Sequence, residues 1–367
     1  MNAKSYVIRL TLILSMTLTA VVGIWGQTSR DRIGDRSERT GKSEAVSAAA
    51  ATEHDAPGDF NGDGKTDFSI VRPSAGGGSG TLTWWIRLNG TNTSSATPFG
   101  LNSDNIIPAD FDGDGKDDIT IYRSTGGGQP GFWVLYSKTG TAGFSPFGQS
   151  GDDPFVIADY TNDGIDDFAI YRPDPVQGFF WIWPSSGPYV GQYAGVPWGN
   201  DRSSTDTDTA LFGDYNGDGF ADFTIYRLEG TRFRVWTLFG SADLLGQTYR
   251  TEQFGGGSDF FVPGDYDGDG TTDLAVSRFV GAAIRWIYKQ SSNGVVTQIN
   301  WGLSSTDLEA HGDYDGDGTT DLAIWRSPGP NPAPLDGYFI VRLSSGGVLY
   351  EPWGGIFNDL PTIWELK

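Results

Sequence analysis

The chain has 367 residues, 46 acidic against 25 basic side chains, a formal net charge of −21 and a pI near 4.3. Charge of that sign and size argues against nucleic acid and anionic membrane surfaces as partners. There is no cysteine and there are only two histidines, which removes disulfide support and thiolate chemistry.

Residues 1–26 open with Lys4 and Arg9, continue as an apolar run from Leu10 to Val22 and end in small residues around Gly23 and Gly26. This is the layout of a secretory signal peptide, and the run is shorter than the roughly 20 residues a membrane span needs. An uncleaved anchor is the alternative, since residues 6–25 are interrupted only by Arg9. The protein is therefore expected to be secreted or held at the cell surface, extracellular or periplasmic. Residues 27–52 mix Arg, Ser, Glu and Ala without periodicity and are expected to form a disordered linker. The folded part is expected over 53–367.

From there a nine-residue acidic loop, D-x-[DNT]-x-D-G-x-x-D, occurs six times at intervals of 48 to 55 residues. A fixed period near fifty marks one repeat array rather than several unrelated domains. The loops offer, in order, Asp59, Asn61, Asp63 and Asp67; Asp110, Asp112, Asp114 and Asp118; Asp159, Thr161, Asp163 and Asp167; Asp214, Asn216, Asp218 and Asp222; Asp265, Asp267, Asp269 and Asp273; and Asp313, Asp315, Asp317 and Asp321. Oxygens at positions 1, 3, 5 and 9, a glycine at 6 and a main-chain carbonyl at 7 suit a hard cation that takes six to eight oxygen ligands. Calcium fits best, in up to six sites, because magnesium is stricter in geometry and transition metals prefer His or Cys. Six calcium ions would bring the net charge from −21 to −9. The third loop, with Thr161 and with Asn162 in place of glycine, is expected to be the weakest site.

An EF-hand would carry a glutamate at position 12 and run into a helix. Position 12 here is Ile70, Ile121, Ile170, Ile225, Val276 or Ile324, in stretches that alternate with period two, so each loop leads into a strand. One repeat, 104–153, offers strands at 105–109, 118–123, 131–138 and 142–147, with no helical periodicity. Four antiparallel strands per repeat, arranged radially, make an all-β β-propeller.

The signature in Gly264 to Val276 and Gly312 to Ile324, together with Phe99-Gly100, Phe147-Gly148, Trp198-Gly199, Phe254-Gly255, Trp301-Gly302 and Trp353-Gly354, resembles the FG-GAP or VCBS repeat of integrin-α-like propellers. That resemblance implies calcium in the blade hairpins and a ring available to carbohydrate or protein. Rings of that kind usually have seven blades, while only six loops occur here. An acid precedes each loop by six residues (Glu53, Asp104, Asp153, Asp208, Asp259 and Asp307) and appears once more as Asp359 near the end of the sequence. The segment 359–364 is therefore expected to close a six-bladed ring as a surplus first strand, with seven blades as the alternative. Arg72, Arg123, Arg172, Arg227, Arg278 and Arg326, at loop position 14, are expected to pair with these acids across the two strands.

Trp85, Trp133, Trp181, Trp236 and Trp286 fall on the third strands and are expected in the core between blades. A residue present six times serves the scaffold, so catalytic candidates are sought where the repeat breaks. Asp307, Glu309 and His311 form such a break; the resemblance implies that the first strand lines the central channel, and Glu53 and Asp55 would lie on the matching face of the neighbouring first blade, so a metal or acid/base site is expected there if anywhere. Three functions fit: an adhesion or glycan- or protein-binding module with mainly structural calcium, a polysaccharide lyase or hydrolase, and a structural docking module. The composition favours the first. Oligomeric state is not legible.

Overall fold

The computed structural model describes residues 56–363 except 125–127, 175, 200–207, 247, 328–336 and 356–358. The expected signal peptide and linker, Glu53, Asp55 and Trp364 lie outside the described residues. No helix among the described residues is long and apolar enough to cross a membrane.

Strands β1 (Phe68–Pro73), β2 (Thr81–Arg87) and β3 (Ser94–Leu101) belong to the first blade, and β4 (Asn105–Ile106), β5 (Ile119–Arg123), β6 (Gly131–Leu135) and β7 (Ala142–Ser145) make the second. The third blade holds β8 (Phe168–Arg172), β9 (Phe179–Trp183) and β10 (Ala194–Pro197). The fourth holds β11 (Thr209–Leu211), β12 (Phe223–Glu229), β13 (Arg232–Leu238) and β14 (Tyr249–Gly256). In the fifth are β15 (Phe260–Phe261), β16 (Leu274–Val280), β17 (Ala283–Lys289) and β18 (Val296–Leu303). The sixth contains β19 (Asp307–Glu309), β20 (Leu322–Arg326), β21 (Tyr338–Arg342) and β22 (Val348–Pro352), and β23 (Leu360–Pro361) follows.

The result is six antiparallel sheets, a six-bladed propeller. β23 pairs with β1 (Ile70↔Pro361, Val71↔Leu360), so the last strand completes the first blade and the seven-blade alternative falls. In the third blade an isolated bridge, Asp153↔Tyr171, stands in for a first strand. Pro154 follows it and has no N–H to continue a ladder. The fourth strands β3, β7, β18 and β22 alternate in exposure and form the outer edge.

The arginines at loop position 14 each make two hydrogen bonds of 2.6 to 2.8 Å to one aspartate: Arg123 to Asp104, Arg227 to Asp208, Arg278 to Asp259 and Arg326 to Asp307, as the spacing predicts. Two partners differ from expectation. Arg72 pairs with Asp359 of the closing strand, and Arg172 pairs with Asp152 rather than Asp153. The acid's place is set from the preceding Phe-Gly pair. The N–H that follows that pair donates to the same carboxylate three residues on, from Leu101 to Asp104, from Gln149 to Asp152 and from Gly256 to Asp259, each at 2.7 Å. The glycine makes this turn at φ between 79° and 100°, where a side chain is strained. A Cβ on Gly302 would also lie 3.0 Å from Ile324.

The third-strand tryptophans split by register. Trp85, Trp133, Trp181 and Trp236 stand opposite the position-12 isoleucines, whereas Trp286 stands opposite Ser277, one residue further along. A one-residue shift turns a side chain to the other face. Trp286 is accordingly buried beside Ile284 and Ile324. The other four are not core residues, as the sequence suggested, but half-exposed covers: Arg72, Arg123, Arg172 and Arg227 lie 4.7 to 5.6 Å over their rings. Tryptophans of the Trp-Gly pairs join blades instead. The indole N–H of Trp301 donates to the Ile340 carbonyl, and that of Trp353 donates to the Trp85 carbonyl across the ring closure.

Candidate metal centres

Each acidic loop is the turn between a blade's first and second strands. Position 1 organises it: in the fifth loop Asp265 Oδ1 accepts the N–H groups of Asp267, Gly268 and Asp269, and Oδ2 accepts that of Gly270. Positions 4 and 6 both have φ between 55° and 85°, with Asn162 at 55° the one residue other than glycine. Asparagine is among the few side chains that tolerate this region. The sequence reading gave the turn to position 6 alone.

Position 9 is a buried staple. Asp67, Asp118, Asp167, Asp222, Asp273 and Asp321 are at most 1% exposed. Each accepts the N–H of loop position 2 and a second N–H from the turn between the third and fourth strands, donated by Asn89, Ser137, Ser185, Gly240, Ser291 or Ser344 at 2.6 to 2.7 Å. The hydroxyls of Ser137, Ser185, Ser291 and Ser344 also reach the position-5 carboxylates. Sequence reasoning passes over these serines, although a serine two residues past the third strand recurs in four of the six blades.

The six loops are bonded into a circle. The N–H at position 8 donates to the position-1 carbonyl of the preceding loop: Asp117 to Asp59, Asp166 to Asp110, Ala221 to Asp159, Thr272 to Asp214, Thr320 to Asp265 and Thr66 to Asp313, at 2.6 to 2.9 Å. All six therefore share one end of the propeller. At position 8 Asp117 and Asp166 depart from the Thr or Ala elsewhere. Their carboxylates accept the N–H groups of Gly58 and Asp110.

Three loops gather three carboxylates with ligand oxygens within 4.8 Å of one another: Asp110, Asp112 and Asp118; Asp265, Asp267 and Asp269; Asp313, Asp315 and Asp321. These are the loops with aspartate at position 3. In the others, among the described residues, Asn61 donates to Asp67, Thr161 to Asp159 and Asn216 to Asp218, so position 3 is engaged within the loop. In each of the three clusters one buried oxygen has no partner, Asp112 Oδ1, Asp267 Oδ1 or Asp315 Oδ1. Oxygen-only donors with an orphaned carboxylate oxygen at the same position fit calcium. In the second loop Lys138 Nζ donates to the Asp112 carbonyl and Lys116 lies 3.5 Å from Asp114, so part of that site's charge is offset internally.

Burial, with neighbouring carboxylates adding to it, pushes the position-9 acids up: Asp67, Asp167, Asp222 and Asp273 to about 7, Asp118 and Asp321 to about 6. The loops demand a counter-charge, a proton or a cation.

The catalytic candidates are each engaged separately. Asp307 holds Arg326, Glu309 accepts the Ser277 hydroxyl of the neighbouring blade, and His311 Nε2 lies 3.1 Å from the Pro263 carbonyl. His311 is 5% exposed, its ring centroid is 6.0 Å from Trp286 and 6.5 Å from Tyr266, and burial lowers its pKa to about 4. The ring is thus neutral packing between two blades.

Residues 59–121 match the family model described as FG-GAP-like repeat. No curated protein matches the chain.

Proposed function

We propose that this six-bladed propeller, which carries FG-GAP-like repeat sequence, is an exported binding module for glycan or protein, held rigid by calcium in its acidic loops. The observation that carries the reading is the buried, orphaned position-3 oxygen in three carboxylate clusters, Asp112, Asp267 and Asp315 Oδ1. A buried carboxylate oxygen without a donor is costly unless a cation meets it. Calcium here is structural: the loops are tied into a circle by their own backbone, and their ligands recur with the repeat. In a cysteine-free chain such ions take the place of disulfides outside the cytoplasm.

Binding is favoured over catalysis because the acidic and histidine constellation that breaks the repeat at Asp307 to His311 is spent on an ion pair and on contacts between blades. The test is a glycan and extracellular-protein array probed with and without calcium, alongside metal analysis of the purified protein. Bound calcium and calcium-dependent hits support the reading. A metal-free protein with an unchanged melt in excess EDTA would falsify the calcium part, and an empty array the binding part.

A further inference from the structure

The repeat breaks a second time, at the end of the propeller opposite the acidic loops. In the fourth and fifth blades the second and third strands are joined by two-residue hairpins, with Glu229↔Arg232 and Val280↔Ala283 as the last pairs. Between these blades opens a cleft of about 480 Å³ lined by Thr231, Arg232, Gly255, Gly256, Gly257, Ser258, Asp259 and Arg278. That volume lies within the roughly 300–1,000 Å³ of small-ligand sites.

Several of its residues depart from the repeat. Positions matching Arg232 in register are Thr81, Gln129, Gln177 and Ala283, and no other Phe-Gly or Trp-Gly pair is followed by two more glycines. Gly256 and Gly257 are not at positive φ, so their backbone does not require glycine. A Cβ on Gly256 would meet Arg278 Nη2 at 3.5 Å, and one on Gly257 would meet Leu228 at 2.8 Å. Gly257 makes room for the Leu228 side chain, and Gly256 leaves the cleft open beside Arg278.

The charge of the cleft is opposite to that of the protein. Arg232 is exposed and has no acidic partner among the described residues, because the carboxylate it faces in the hairpin, Glu229, is held by Arg234 at 2.6 Å. Arg278 gives Nε and Nη2 to Asp259, which leaves Nη1. Arginines also stand directly opposite one another, Arg227↔Arg234 and Arg278↔Arg285, an arrangement that costs stability in a sheet. Arg227 and Arg278 serve the repeated ion pairs with Asp208 and Asp259, whereas Arg232 has no such role among the described residues.

We infer that this cleft binds a carboxylate-bearing sugar, a uronate unit of an acidic glycan, with Arg232 and Arg278 Nη1 on the carboxylate and Ser258 and Thr231 beside its hydroxyls. Planar guanidinium forks match a carboxylate. The lining contains no apolar side chain to seat the body of a peptide residue, which favours a sugar over a peptide carboxylate. Carboxylates farther from the cleft than the screening length of about 8 Å at physiological salt are largely screened from a ligand bound there. The inference rests on the binding-module reading and names the ligand class.

The test is calorimetric titration of the calcium-loaded protein with a glucuronate-containing tetrasaccharide, with the same sugar after reduction of its carboxyls to alcohols, and with an acidic peptide. Saturable binding of the first is expected, weakened about tenfold or more by carboxyl reduction and by Arg232→Gln, the scale of a lost charge-assisted hydrogen bond. Gly256→Val, which fills the cleft without backbone strain, should abolish it, and Arg285→Gln, equal in charge change but outside the cleft, should not. Binding that survives both Arg232→Gln and Gly256→Val overturns the site while the binding-module reading stands. Equal affinity for the reduced sugar, or preference for the peptide, overturns the ligand class. No binding of the tetrasaccharide by the wild type overturns the inference, and only an empty array overturns the reading beneath it.

Discussion

At the scale of single residues, the buried aspartates of this protein do two kinds of work. Those paired with arginine are fully buried on the acid side and partly exposed on the other: Asp307 is 0% and Arg326 37% exposed. Removing the cation strands a carboxylate that still accepts the Leu303 N–H and the Thr306 hydroxyl. Arg326→Ala is therefore expected to cost about 2 kcal/mol, below the 3–5 of a fully buried pair because solvent reaches the arginine side. Urea unfolding should show it as a lower midpoint at constant slope. The position-9 acids behave otherwise. Their folded pKa of about 6 to 7 exceeds the unfolded value of about 3.9, so without cations the folded state holds protons that the unfolded state releases. Stability of the EDTA-treated protein is then greatest below about pH 4 as far as these groups are concerned, and it falls as pH rises through 6 to 7. With excess calcium the trend over pH 5 to 7 should reverse, because the ion competes with those protons. Melting curves across pH in the two buffers check both signs.

Among the elements, β23 has the largest consequence for its size. Two residues of strand carry the pairing with β1, the aspartate just before them holds Arg72, and Ile363 just after packs with Phe68, Tyr314 and Trp325. Deletion of residues 359–367 leaves Arg72 without its acid and exposes an edge of the first blade. A fall in melting temperature on the order of 10 °C is expected, with aggregation through the open edge. Asp359→Asn, which keeps the strand, should cost less than the deletion; equal losses would show that the ion pair alone closes the ring.

For the whole molecule, the proposed calcium sites would share one scaffold, the circle of backbone hydrogen bonds between loops. At 2 mM calcium and a dissociation constant of about 0.1 mM, each ion adds about 1.8 kcal/mol. The three loops with aspartate at position 3 are expected to fill first and the third loop last. Asp267→Ala should remove one ion from the metal count and lower the melting temperature in calcium more than in EDTA; an equal loss in both would make that loop purely structural.

The sequence by itself determined the repeat and the β class and favoured six blades over seven, because these follow from local patterns that recur in register: the acidic loops, the Phe-Gly pairs and the extra Asp359; the pairing of β23 with β1 settled the closure. The sequence also located the carboxylates of the loops. Tertiary structure decided which of them converge, since that depends on whether the position-3 side chain turns toward the other carboxylates or is bonded within its own loop. It decided the faces of the tryptophans through a one-residue register difference at Trp286, and the partner of Arg172 through a turn counted from Phe147-Gly148. It also drew His311 into the packing between two blades and opened the cleft at Arg232, because both arise where neighbouring blades meet, and contacts between blades leave no period in the chain.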